Sequence, residues 1–226
     1  MPGKRYLVCS ACGQRAAAPV GVPTAAPVCR NWWCSMPGRP LAAVYCVGNY
    51  NGGLRKAIVS YKYGADLRWA RPFGTLLHGF LSRHSSWFEE YGVICPVPSY
   101  LGPGARRAWG HVELICAELG SLAGAEWPVQ KLVGKTADTE PMSAKSHPVR
   151  RRIARSDLSG AFAAIQTSVV EGRRVLVVDD VCASGETLLA VAGALRNAGA
   201  LEVAGLVLAR ACWRPAPRAL ARPVFS

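Results

Sequence analysis

Three short apolar runs, each stopped by polar or small residues, set the frame of this chain. Residues 175–178 (VLVV) lie between Arg173 and Arg174 on one side and Asp179 and Asp180 on the other. Residues 92–98 (GVICPVP) end at prolines before Ser99, Tyr100, Gly102 and Gly104, and a third run falls near residues 203–208. Runs this short and this apolar suit parallel strands covered on both faces. Around them apolar positions recur at helical spacing: from Thr187 through Leu188, Leu189, Val191, Ala192 and Leu195, and from Arg106 and Arg107 through Glu113 to Leu119. Residues 43–84 follow the same spacing after a turn at Gly52 and Gly53, and read as core and connecting helix. Strands alternating with helices predict an α/β class built on a parallel sheet.

Two segments and the tail do not share this periodicity. Residues 1–40 hold Cys9, Cys12, Cys29 and Cys34 among prolines and alanines with Trp32 and Trp33, too little periodic apolar surface to fold unaided. From 134 to 157 the chain is polar and basic, GKTADTEPMSAKSHPVRRRIARSD. Long irregular stretches inside compact domains are often lids or disordered. The tail carries Arg210, Arg214, Arg218 and Arg222 at helical intervals, but Pro215, Pro217 and Pro223 oppose a helix. The expected division is therefore a cysteine-rich lobe at 1–40, one α/β domain at 41–210, and a flexible basic tail at 211–226 suited to an acidic partner.

At 226 residues and 50% hydrophobic composition the chain can bury one α/β core and one small appendage. No apolar run reaches the length of a membrane span, and MPGKRYLVCSAC lacks the apolar stretch of a signal peptide, so a cytoplasmic location without a membrane partner is expected. The net charge is +13, from 27 basic and 14 acidic residues, and eight basic residues precede the first acid, Asp66. Such an excess suits polyanions, either phosphorylated substrates or nucleic acid. Nine cysteines in a chain too large to need disulfide staples favour thiols and metal. Cys9 and Cys12 form a CxxC that presents two thiolates from one turn; with Cys29 and Cys34 they can close a tetrahedral structural Zn²⁺ site, and Cys46 is an alternative fourth ligand because Cys29 and Cys34 are more widely spaced.

The candidate chemistry sits where strands end, since ligands of open α/β sheets gather at the carboxyl ends of strands. After Asp179 and Asp180, the small residues Ala183, Ser184 and Gly185 let the backbone turn, and a helix opens at Thr187. Backbone N–H groups at that helix start can hold a phosphate. The hydroxyls of Ser184 and Thr187 can add donors, and the two aspartates can meet sugar hydroxyls or a hydrated Mg²⁺. Phosphate, diol and metal in one short loop point to a ribose phosphate. The second strand end, with Ser99, Tyr100 and Arg107, offers a second anion site. Lys56 and Lys62 read as solvated charges, Lys62 drawing more notice because it falls in a YKYGAD turn. Arg30, Trp32 and Trp33 mix basic and aromatic character, as base stacking requires, or else pack around the metal.

The segment DDVCASGET resembles the phosphoribosyl-pyrophosphate (PRPP) motif of type I phosphoribosyltransferases. That resemblance implies that Asp179 and Asp180 take the ribose diol, as the catalytic pair, and that Cys182, Ala183, Ser184, Gly185, Glu186 and Thr187 surround the 5′-phosphate. It also implies pyrophosphate contacts at Ser99, Tyr100 and Arg107. Ala183 stands where a threonine is common, and Glu186 introduces a carboxylate whose side chain is expected to point away from the phosphate. With the cysteine lobe, the PVP loop before RRAWGH, and a basic lid with Arg150, Arg151 and Arg152 ahead of SGAF, the whole chain resembles the ComF/GntX family of competence-associated proteins. Its RAWGHVE replaces the RGFNQ-like stretch of relatives. The resemblance implies a parallel-sheet type I phosphoribosyltransferase fold with a small N-terminal zinc-binding lobe. It further implies a Mg²⁺-dependent transfer of phosphoribosyl to a nitrogen acceptor with release of pyrophosphate, linked to competence and DNA uptake. The alternative is a non-catalytic, PRPP-responsive protein that binds single-stranded DNA or a DNA-processing partner.

Overall fold

The computed structural model describes residues 7–16, 29, 31–105, 109–137, 158 and 160–211. The N-terminal lobe contains a two-residue antiparallel pair, β1 (Leu7–Val8) and β2 (Arg15–Ala16), and one 3-10 turn, Trp32–Ser35. The chain then enters β3 (Val44–Asn49), α1 (Gly52–Tyr63), α2 (Ala70–Arg83) and β4 (Val93–Pro96). After α3 (His111–Ala123) come β5 (Val133–Lys135) and β6 (Phe162–Ala164), which pair antiparallel. A short helix, α4 (Thr167–Val170), leads into β7 (Arg174–Cys182), α5 (Glu186–Asn197) and β8 (Glu202–Arg210).

Four strands form one parallel sheet in the order β3-β8-β7-β4. The central pair reads as the sequence suggests: Val175, Leu176, Val177 and Val178 are inaccessible, as are Val203, Ala204, Leu206, Val207, Leu208 and Ala209. Helices bury the faces their spacing promised. α2 turns Phe73, Gly74, Leu77 and Leu81 inward, and α5 turns Leu188, Leu189, Val191, Ala192 and Leu195. At Gly74 the backbone of α2 comes so near α3 that a Cβ there would lie 2.7 Å from Cβ of Glu118, so only glycine permits that approach.

Four elements differ from the sequence-based expectation. β3 lies inside a stretch that scans as helix; it is one edge of the sheet, and along it only Val44 is fully buried while the remaining side chains are half-covered. β7 does not stop at Val178 but pairs with β8 as far as Cys182 opposite Arg210, which places Asp179 and Asp180 inside the strand's last turn of pleat. α3 begins at His111, and α5 begins one residue early, at Glu186.

The N-terminal lobe shares the main core. Cys9, Ala11, Cys12, Trp33 and Leu41 belong to the same buried cluster as the sheet, and the N–H of Val44 donates to the carbonyl of Ala11 at 2.8 Å.

Candidate functional site: an acidic pair and two loops at one sheet edge

β4 and β7 are neighbours with Pro96 opposite Val178, and the N–H of Val97 donates to the carbonyl of Val178 at 2.8 Å. Their carboxyl ends therefore release the 97–105 loop and the 183–185 loop side by side. Sheet order alone brings the two expected anion loops together, around the acidic pair.

Asp180 is buried, and its Oδ1 lies 2.8 Å from Nζ of Lys62. Lys62 stands in the last turn of α1 rather than in a surface turn. Burial would pull its ammonium down, but the charges of Asp180 and Asp179 outweigh that and hold it above the ordinary lysine range. Asp179 is half-buried at the strand end, and its Oδ1 accepts the backbone N–H of Asp180 at 2.8 Å. Burial, reinforced by the neighbouring Asp180 charge and only partly opposed by Lys62, pushes the Asp179 carboxyl up to about 8. Lys62 balances Asp180, and Asp179 keeps in this water-poor place a proton that a bound cation would displace. Such a site favours a cation or hydroxyl donors.

The loop that follows is held from behind. Gly185 has φ +89° and caps the start of α5. A Cβ there would meet Nε1 of Trp33 at 2.7 Å. Cys182, expected in the phosphate loop, is the last residue of β7; its side chain is buried, and burial pushes the thiol up to about 11. Glu186, whose side chain is expected to point away from the phosphate, turns into the protein. It is buried, and its Oε2 accepts the hydroxyl of Ser184 at 3.1 Å, so the one proton that hydroxyl can donate is already engaged. What remains on this loop for an anion is the backbone N–H groups and the Thr187 hydroxyl.

On the β4 side, the Ser99 N–H donates to Oε1 of Glu113 at 2.7 Å and the Ser99 hydroxyl to Oε2 at 3.1 Å. A carboxylate thus sits where Ser99 would hold an anion, and it comes from the first turn of α3. The Tyr100 hydroxyl turns back within its own loop to the carbonyl of Pro103 at 3.3 Å. His111 is buried, edge-on to Tyr61, whose hydroxyl donates to the His111 carbonyl at 2.7 Å. Arg107, the lid residues Arg150, Arg151 and Arg152, and the tail from 212 onward lie outside the described residues. β5 and β6, paired with Lys135 opposite Phe162, are the points at which the chain leaves for and returns from the basic segment.

The thiols of Cys9, Cys12, Cys29 and Cys34 lie within 4.8 Å of one another, with Cys9 to Cys34 at 3.9 Å and Cys12 to Cys29 at 3.4 Å. Four sulfurs about 2.3 Å from a tetrahedral Zn²⁺ would be ~3.8 Å apart, so this donor set fits zinc. Burial and the crowding of thiols push Cys29 up to about 11 and Cys34 well above its ordinary range, and a metal would displace those protons. Cys46 is not in the cluster; it lies on β3 beside Gly13, whose missing Cβ would be 2.6 Å from the Cys46 Sγ. Trp33 is fully buried and so packs rather than stacks on a base, whereas Trp32 is partly exposed.

Sequence reasoning noted Lys62 and Trp33 but placed neither of them, nor Glu113 or Arg210, in this region. Arg210 ends β8 fully buried: its Nε donates to the Cys12 carbonyl at 2.9 Å, and one terminal nitrogen reaches the carbonyls of Cys182, at 2.6 Å, and Ala183. The only signal available was its position at the end of an apolar run.

Parts of the chain are similar to known proteins. Residues 136–224 match the model of the phosphoribosyl transferase domain. The protein named DNA utilization protein YhgH of Salmonella typhimurium is 25% identical over 204 residues, 87% of each chain. Its namesake in Escherichia coli O157:H7 is 24% identical over 172 residues, 75% of this chain and 73% of the other. Among solved structures, purine phosphoribosyltransferase from Pyrococcus horikoshii superposes with a TM-score of 0.36 at 15% identity, covering 66% of this chain and 92% of that one. Phosphoribosylpyrophosphate synthetase from Mycobacterium smegmatis gives a TM-score of 0.37 at 14% identity, over 61% of this chain and 33% of that longer one.

Proposed function

We propose that this phosphoribosyltransferase-like protein, of the ComF type, binds PRPP with Mg²⁺ at the junction of β4 and β7 and transfers its phosphoribosyl group to a nitrogen acceptor. The observation that supports this most is the acidic pair, Asp179 and Asp180, set in a water-poor strand end between two small-residue loops on adjacent parallel strands. Bound with PRPP, Mg²⁺ would neutralise pyrophosphate oxygens and help it leave.

The chain's own residues do the rest by position. Asp179 and Asp180 orient the ribose through its 2′- and 3′-hydroxyls, with Lys62 holding Asp180 in place. The N–H groups of 183–187 and the Thr187 hydroxyl hold the 5′-phosphate. Ser99 and Tyr100 face the pyrophosphate, where Glu113 must yield the Ser99 donors. Arg107 and the lid arginines Arg150, Arg151 and Arg152 complete the charge around the leaving group. No side chain needs to act as a nucleophile: the C1–O bond breaks as a cationic centre forms between two fixed anions, and the acceptor nitrogen closes the new bond. Cys9, Cys12, Cys29 and Cys34 would hold a structural Zn²⁺ that fastens the lobe.

A second reading is favoured by the carboxylates of Glu113 and Glu186, which occupy loop donors, and by the name of the relatives, DNA utilization protein. In it the chain binds PRPP without consuming it and engages single-stranded DNA through its basic segments. The two separate by one titration: PRPP and Mg²⁺ are added with a panel of bases and ammonia, and pyrophosphate release is followed. Release with one acceptor supports the transferase, saturable binding without release supports the sensor, and no binding overturns both.

A further inference from the structure

Two residues from outside the motif reach under the 183–185 loop from the side of the cysteine cluster. The indole N–H of Trp33 donates to the carbonyl of Ser184 at 3.0 Å, and the guanidinium of Arg210 takes the carbonyls of Cys182 and Ala183 while its Nε takes that of Cys12. Three successive carbonyls are thus gathered toward the lobe. In an extended strand they would alternate. A trans peptide is planar and points its N–H opposite to its C=O, so the same contacts turn the N–H groups of Ala183, Ser184 and Gly185 to the other side. Among the described residues, no backbone carbonyl accepts from any of these three N–H groups. Successive N–H groups converging outward form an anion-binding nest.

We propose that Trp33 and Arg210 are positioning residues that preform the 5′-phosphate nest by tying its carbonyls to the metal-binding lobe. The proposal deepens the PRPP reading of this loop and rests on it. It gives the cysteine cluster a role beyond holding its own lobe: Trp33 lies one residue before the ligand Cys34, and the Cys12 carbonyl is bonded by Arg210, so the geometry of the cluster is passed directly to the loop. Trp33 and Arg210 are themselves buried, so neither side chain is offered to the phosphate. Their effect on a ligand must therefore act through the loop backbone.

The test uses the full chain with Trp33→Phe and, separately, with Trp33 replaced by benzothienylalanine, which keeps the ring shape but lacks the N–H. Zinc content and melting temperature monitor the fold. Ribose 5-phosphate, PRPP with Mg²⁺, and pyrophosphate with Mg²⁺ are titrated calorimetrically, and amide hydrogen exchange is followed across β7 and the loop. Loss of one buried hydrogen bond that leaves the Ser184 carbonyl unpaired predicts ~10-fold weaker binding of ribose 5-phosphate and PRPP. Pyrophosphate affinity and zinc content stay at the wild-type level, and exchange quickens at 183–187 but not at 175–178. Wild-type ribose 5-phosphate affinity in the benzothienylalanine protein overturns the proposal, as does an equal loss of pyrophosphate binding. Failure of the unaltered chain to bind PRPP overturns the site reading itself, a result distinct from either.

Discussion

Nζ of Lys62 and Oδ1 of Asp180 meet at 2.8 Å, joining the end of α1 to the end of β7 across 118 residues of sequence. Asp180 is almost fully buried and Lys62 only partly exposed, so the pair is more than a surface contact. Removing the lysine strands a buried carboxylate. Lys62→Met should cost about 2–4 kcal/mol in urea unfolding, and adding Asp180→Asn should restore most of it, because the uncompensated charge and not the lost contact carries the penalty. If the double variant is as unstable as the single one, the pair is not coupled.

Asp179 makes stability depend on pH in a defined direction. Its carboxyl is raised to about 8 in the fold by burial and by Asp180. An aspartate in the unfolded chain titrates near ~3.9. The folded state therefore binds more protons between these values, and stability contributed by the protonated form is present below pH ~4 and is lost as pH rises toward 8. Asp179→Asn should flatten that slope and stabilise the protein by at least about 1 kcal/mol at pH 8, read from denaturant midpoints across pH. The same substitution should weaken PRPP binding in the presence of Mg²⁺, a trade expected where a destabilising charge is kept for a ligand.

Much of this site was legible because its signals are local. A buried strand that ends in two acids and then small residues can be read from one window of sequence, and a second window gives the other strand-end loop, whereas the pairing of β4 beside β7 is seen only in the fold. Lys62 was not legible, since nothing near it in sequence names its partner. Trp33 and Ser184 are 151 residues apart, and Arg210 reads in sequence as the first of a series of tail arginines although its guanidinium lies under the loop. β3 hid for another reason: an edge strand need not bury both faces, so its apolar run is broken by Gly48 and reads as part of the helical stretch that follows.

Zinc removal should propagate from the lobe into the sheet. The cluster cysteines Cys9 and Cys12 share the core with Trp33, and the Cys12 carbonyl is held by Arg210. Stripping the metal with a zinc-selective chelator, then restoring Mg²⁺, should lower the melting temperature by about 5 °C or more, as a loss of ~2 kcal/mol implies for a chain of this size. Readdition of zinc should reverse it. A metal-stripped chain with an unchanged melting temperature would show that the thiols hold the lobe without an ion.

Gly185 concentrates both demands on the loop at a single atom. Its φ of +89° lies where an L side chain is strained, and a Cβ would lie 2.7 Å from the Trp33 Nε1 that binds the preceding carbonyl. Gly185→Ala must therefore either push Trp33 away or rotate the 184–185 peptide, at a cost of about 1–3 kcal/mol. Rotating that peptide swings its N–H out of the nest and unpairs the carbonyl of Ser184. The variant should accordingly lose affinity for ribose 5-phosphate by more than the conservative Trp33→Phe change does, while the Lys62–Asp180 pair and the β7–β8 register, reported by exchange protection at 175–178, stay intact. Equal ribose 5-phosphate affinity in Gly185→Ala and the unaltered chain would mean that the loop backbone does not hold the phosphate.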